Sequence, residues 1–210
     1  MIPAKNSSRK DNNDNSDKDK LLLLGCGILK KELKWLIEKN NWPMDTSLMA
    51  SSLHSDFNKL ERGLSGSLAK NQQHHPIVFY GCCHPRMEQI LEAGHSLRTE
   101  GQNCIDILLG KELFTKELLA GAFFLLEDWA IHWDRVCKAT FGSHPSIIQE
   151  IFQQDREYIL AVKTPLSDDF STKAEDIAHQ VGLPLKWMTV GLDHLEKVMQ
   201  ELILKKQMDR

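Results

Sequence analysis

Apolar positions in this chain fall into short runs separated by longer stretches of helical spacing. Residues 21–24 are four consecutive leucines, and residues 77–80 are Ile-Val-Phe-Tyr; each run stops at Gly-Cys, as Gly25-Cys26 and Gly81-Cys82. A continuous apolar run of this length is what a strand covered on both faces requires. After the first run, Ile28, Leu29, Leu33, Leu36 and Ile37 recur at helical spacing until Pro43 and Asp45. After the second, Pro85 suits a first helical turn, and Met87, Ile90 and Leu91 continue the pattern to Gly94. Between the two, residues 48–53 read as a weaker strand. Ser55 or Asp56 is placed to cap a helix through Leu60, Leu64 and Leu68, which Gly63 and Gly66 weaken.

The alternation continues downstream. A short strand is expected over 96–99, then a helix over 104–109 capped by Asn103 and closed by Gly110, then a helix over 113–119. A strand over 121–126 leads into a helix carrying Trp129, Trp133 and Val136. Residues 146–154 read as helix and 158–162 as strand. The last unit is a helix over 172–181, a strand over 185–190 and a helix over 193–205. Strands that alternate with helices indicate parallel α/β architecture, because parallel strands need crossover connections. The expected fold is α/β: a Rossmann-like, mostly parallel sheet of about six strands with helices on both faces, forming a single domain over residues 21–210.

Composition narrows the function classes. Residues 1–20 hold nine Lys, Arg and Asp residues and four Asn, with almost no bulky apolar groups, and read as a disordered N-terminal tail. The tail lacks the apolar stretch of a signal peptide, which makes a cytoplasmic location the expectation. A formal charge of −3 argues against nucleic acid or an anionic membrane as partner. No run approaches the ~18 apolar residues of a membrane span. In a reducing compartment, five cysteines read as thiols or ligands rather than disulfides.

The cysteines carry the candidate chemistry. Cys26 and Cys82 end apolar strands, and Cys104 follows Asn103 at a helix start. In open α/β sheets, ligands bind at the carboxyl edge of the strands. Thiolates there are favoured by backbone N–H groups and bind zinc or iron–sulfur clusters. Cys26, Cys82 and Cys104 are therefore the candidate metal ligands, with Gly25, Gly27, Gly81 and Asn103 as the backbone around the cofactor. The chain has no CxxC pair, so only folding can gather these thiols, and buried small-residue packing is the competing reading. Cys83 is expected to point away from Cys82 if the strand continues. His84 is a candidate fourth ligand or proton carrier, and Glu100 and Asp106 flank Cys104 as further acid/base candidates. Each has a plainer reading as a helix cap or a surface group. Arg86 and Arg98 are candidates for neutralising an anionic substrate. Glu127, Asp128 and Trp129 sit at another strand end, facing the same crevice or simply capping and packing. No dinucleotide, Walker A, HExxH or GxSxG motif is present.

With these residues in view, the chain resembles a family of bacterial and archaeal proteins catalogued as a domain of unknown function. The resemblance spans about residues 21–202. It is carried by Cys26-Gly27-Ile28-Leu29-Lys30-Lys31-Glu32-Leu33, Tyr80-Gly81-Cys82 and Asn103-Cys104-Ile105-Asp106-Ile107-Leu108-Leu109-Gly110, with residues 121–129 and 172–175 completing it. Relatives often show Gly-x-Cys-Gly where this chain has Gly81-Cys82-Cys83-His84. This leaves Cys82 and Cys83 both open as the family cysteine, and position relative to the strand selects Cys82. Members are encountered near corrinoid-dependent methyl-transfer systems, which implies one-carbon or methyl chemistry.

The expectation is a metal- or iron–sulfur-dependent enzyme with zinc or a cluster on three cysteines and an open position for a small-molecule substrate. The alternatives are a non-catalytic metal or corrinoid binding and delivery protein, with a corrinoid methyl-transfer protein as partner, and a metal-free thiol enzyme. Leu195, Val198 and Leu202 would permit a homodimer.

Overall fold

The structure, a computed structural model, describes residues 20–74 and 76–209. Of the tail expected over residues 1–20, all but Lys20 lies outside the described residues.

Four parallel strands form the first sheet, in the order β2-β1-β3-β4. They are β1 (Leu21–Cys26), β2 (Met44–Met49), β3 (Ile77–Phe79) and β4 (Leu97–Arg98). The leucine run of β1 is central and almost wholly buried, as its lack of polar alternation requires. Helix α1 (Lys30–Lys39) connects β1 to β2. Helix α2 (Phe57–Lys70) then carries the chain to the other side of β1, where β3 pairs with it. Asp56 caps α2 by accepting from the Lys59 N–H at 3.0 Å. Helix α3 (Met87–Ala93) leads to β4, and α4 (Cys104–Leu109) and α5 (Lys111–Leu119) follow.

The second sheet is also parallel, in the order β5-β6-β7, built from β5 (Ala122–Leu125), β6 (Tyr158–Lys163) and β7 (Leu185–Thr189). Its crossovers use α6 (Glu127–Ile131), α7 (Trp133–Phe141), α8 (Pro145–Asp155) and α9 (Ser171–Val181). The chain then returns to the first sheet, where α10 (Asp193–Met208) packs on β3, β4 and α4.

Strand alternation divides the second sheet between two apolar cores. Ala122, Phe124, Tyr158, Leu160 and Val162 face a core shared with β1, β3, α2 and α10. Leu125, Ile159 and Ala161 face a smaller core with Trp133, Phe152, Ile177 and Val181. None of the helices among the described residues is long and apolar enough to cross a membrane.

Three expectations are corrected here. The single sheet of about six strands is two parallel sheets, of four and three strands. Periodicity marks where strands lie but not which strands pair, and β5 pairs with β6 rather than extending the first sheet. The weak strand expected over 48–53 is β2, Met44–Met49, and Ser51–Ser55 is a 3-10 turn. This edge strand exposes Asp45, Thr46 and Ser47, so it carries little apolar signal. Leu195, Val198 and Leu202, read as a dimer face, are buried in their own chain's core.

Candidate functional site

The chain order around β1 creates a crevice. β1 is followed by β2 on one side and β3 on the other, so connections from β1 and β3 diverge at their carboxyl ends. Ligand sites of open parallel sheets lie at such switch points. Here the divergence leaves Cys26 at the end of β1 and the segment 80–83 beyond the end of β3. A cavity of about 530 Å³ opens at this place, lined by Cys26, Cys82, Cys83, Cys104, Tyr80 and Trp129 among others. That volume falls within the range of small-molecule sites.

Gly81 brings Cys104 to this edge. A Cβ on Gly81 would lie 2.4 Å from the Gln102 carbonyl oxygen and 2.5 Å from the Asn103 nitrogen. Only a residue without a side chain allows the loop before α4 to come this close. The Cys82 N–H then donates to the Gln102 carbonyl at 2.8 Å. Asn103 accepts from the N–H groups of Ile105 and Asp106, each at 3.0 Å, and so starts α4 with Cys104 as its first residue. Gly25 makes a similar close approach on the other side, since its Cβ would stand 2.5 Å from the Phe79 carbonyl oxygen.

Cys83 acts electrostatically on Cys26, and both act on Cys104. Burial pushes the Cys26 thiol up to about 12, and the neighbouring Cys83 and Asp128 add to this, while the Ile28 backbone N–H opposes it. Burial raises Cys104 well above the ordinary thiol value, with further increments from Cys26 and Cys83; its own N–H and that of Ile105 oppose this. Burial also raises Cys83, with a further increment from Cys82, against a backbone hydrogen bond at Gly81 and the Arg98 charge. Each of these thiols thus faces backbone donors suited to a thiolate, while burial and neighbouring thiols disfavour the charged form.

Cys82 takes a different place. It is exposed, and its sulfur lies 3.3 Å from Nη2 of Arg98 and 3.8 Å from the Gly101 carbonyl oxygen. The alternation argument chose Cys82 because it extended the strand to residue 82. β3 ends at Phe79, so residues 80–83 have left the pleat and alternation no longer decides their direction.

The other sequence candidates are distributed as follows. Gly81 and Asn103 line the cavity, whereas Gly25 is not among its lining residues and packs closely on Phe79, and Gly27 lines a smaller crevice. His84 is buried outside the cavity, with Nε2 3.6 Å from Glu61 and Nδ1 accepting from the Arg86 N–H at 3.0 Å. Glu100 is exposed and paired with Lys205. Asp106 is buried and accepts from the Gln102 N–H at 2.7 Å, which holds the loop before α4. None of these three residues is among those lining the cavity. Arg86 is paired with Glu61 and Arg98 with Glu88.

Two buried polar atoms of the cavity residues have no hydrogen-bond partner among the described residues: Tyr80 Oη and Trp129 Nε1. The Tyr80 hydroxyl is raised by burial first and then by Cys26, Cys83 and Cys104, which places it beside the thiols. His54 stacks on the Trp129 ring at 5.2 Å. Each orphaned donor costs about 1–3 kcal/mol unless something accepts from it. Tyr80, His54 and Cys83 were outside the residues read as the site. Nothing in their local sequence separates a cavity-lining aromatic from a core one.

The raised thiols make stability pH-dependent. Below pH 9, the ordinary thiol value here, both folded and unfolded chains keep the Cys26 proton. From 9 to about 12 the unfolded chain loses the proton while the folded chain retains it. Stability should therefore fall as pH rises through this window, by about 1.4 kcal/mol per pH unit for each such thiol. Urea unfolding of the metal-free protein at pH 8, 9 and 10, set against Cys26→Ala, measures this. Identical slopes for the two proteins would remove the assignment.

No curated protein and no solved structure matches the chain. Residues 48–199 match the family described as "Protein of unknown function (DUF1638)", a stretch that includes Tyr80, Cys82, Cys83, Cys104 and Trp129 but not Cys26. The chain belongs to this family.

Proposed function

We propose that the cavity at the carboxyl edge of the first sheet is the working site of a metal-dependent enzyme, with Cys26, Cys83 and Cys104 as the ligands of zinc or an iron–sulfur cluster. The observation that carries this reading is the common cavity that Cys26, Cys83 and Cys104 line, in which Cys83 acts on Cys26 and both act on Cys104. Soft thiolate donors suit both metals. A cation reverses the electrostatics of the trio, since the repulsion that keeps three thiols protonated becomes attraction to the ion, and binding releases their protons.

As the side chains stand, no group of three or more His, Cys, Asp or Glu among the described residues is arranged to hold a metal ion. The fit is one of donor chemistry and shared location. The bound group would supply Lewis-acid activation of a sulfur or carbonyl substrate. The chain's own residues exclude water through the aromatic lining and offer donors from Tyr80 and Trp129. One-carbon, methyl or sulfur chemistry is the reaction class this favours. The cavity volume favours a small molecule over a whole corrinoid.

The test is metal, iron and sulfide content with an absorption spectrum, on full-length protein purified without oxygen and without a histidine tag. Near-stoichiometric iron and sulfide with a brown colour, or one zinc and no colour, supports the proposal and names the metal. Substoichiometric metal after metal-supplemented expression overturns it. Metal that leaves readily to a mild chelator would instead fit a carrier.

A further inference from the structure

We infer that the cavity takes a small organic anion with a flat, apolar body, such as an aromatic carboxylate. This deepens the reading of the cavity as the working site, but it does not depend on the metal.

Three observations define the ligand. Around the thiols the wall is mainly aromatic and aliphatic, and it includes no Asp or Glu among its lining residues. Trp129 has a flat face already stacked by His54, with Phe123 tilted against it at 6.5 Å. Such walls favour a planar apolar body. Secondly, Tyr80 Oη and Trp129 Nε1 are buried donors without partners. The Trp129 Nε1–H needs a group that accepts, the Tyr80 hydroxyl can donate to the same kind of group, and Tyr80 is itself 2% exposed. Thirdly, the one cationic side chain of the lining is Arg156. It is partly exposed, forms no ion pair among the described residues, and donates from Nη1 to the Asp155 carbonyl at 3.1 Å. The other arginines near the site, Arg86 and Arg98, are neutralised by Glu61 and Glu88.

An anionic group matches the Arg156 guanidinium, and an accepting oxygen suits the two unpartnered donors of the same lining. A carboxylate at Arg156 would receive charge-assisted hydrogen bonds, the stronger class. An uncharged apolar molecule would leave the guanidinium unused, and an organic cation would be repelled by it.

The probe is 2-naphthoate, compared by calorimetric titration with 2-naphthalenemethanol, a neutral molecule with the same ring system. The full-length metal-free protein should bind one naphthoate, at least tenfold more tightly than the alcohol. Arg156→Gln should remove this preference while leaving alcohol binding unchanged, and because Arg156 is partly exposed the variant should keep its fold. Tyr80→Phe should weaken naphthoate without abolishing the charge preference. Cys26→Ser, which the metal reading expects to lose metal, should still bind naphthoate. Its failure to lose metal would count against the metal and not against the ligand class. Equal affinity for the two probes, no saturable binding up to millimolar concentration, or an unchanged preference in Arg156→Gln overturns the inference.

Discussion

Serine in place of Cys26, Cys83 or Cys104 should each reduce bound metal from near one equivalent to background, whereas serine in place of Cys82 should leave it near one. The contrast between adjacent residues is the strongest test of the proposed site. Both line the cavity, but Cys83 lies within electrostatic reach of Cys26 and Cys104, while Cys82 is exposed against Arg98. A serine hydroxyl is a far poorer ligand for zinc or iron than a thiolate, so each ligand lost should be decisive. The same four variants read by thermal melting separate ligation from folding, because serine for cysteine is close to isosteric. Retention of metal by Cys83→Ser together with loss in Cys82→Ser would exchange the two residues. Retention by all four would refute the site altogether.

Alanine in place of Gly81 should destabilise the protein by about 3 kcal/mol, the upper part of the range for overpacked sites. For a chain of this length that corresponds to a fall of roughly 6–12 °C in Tm. The added methyl would meet backbone at 2.4 and 2.5 Å, in the Gln102–Asn103 peptide, and neither side is a flexible side chain that can swing away. Relief requires the loop before α4 to retreat. That would break the Cys82 N–H bond to Gln102 and carry Cys104 away from Cys26 and Cys83. Metal capacity should therefore fall together with stability. The same substitution at Gly66 supplies the contrast: in α2 its Cβ would meet nothing within 4 Å. There alanine should stabilise by about 0.4–1 kcal/mol, because it restricts the unfolded chain and suits a helix. A Gly81→Ala protein with unchanged Tm would show that the loop is not held as described. Loss of metal without loss of stability would instead show a loop that shifts freely.

How much of this was legible in the sequence varies from element to element. The leucine run of β1 identified itself, because burial on both faces removes polar positions and leaves an unbroken signal. The same holds for β3, β5 and β6. Helices α2 and α4 were announced by Asp56 and Asn103, whose capping is a local interaction between near neighbours in the chain. β2 was displaced by four residues because an edge strand exposes one side to water and keeps few apolar markers. The gathering of thiols was harder to foresee: spacings of 56 and 22 residues contain no information about distance until strand order is known. Choosing between Cys82 and Cys83 depended on where β3 ends, and one or two residues at a strand terminus reverse the face.

By itself the sequence determined the local layer of this protein: which segments are strands or helices, the parallel α/β class, and the occurrence of cysteines beside glycine or asparagine at strand-to-helix turns. These follow from backbone propensity, capping and burial periodicity, which act over a few residues. Tertiary structure alone decided that the strands divide into two sheets. It also decided that Cys26, Cys82, Cys83 and Cys104 line one cavity, that Cys82 is exposed beside Arg98, and that Tyr80, Trp129 and Arg156 line that same cavity. Those outcomes rest on pairing and packing between residues far apart in the chain, where the free energy comes from shared burial and not from any local pattern.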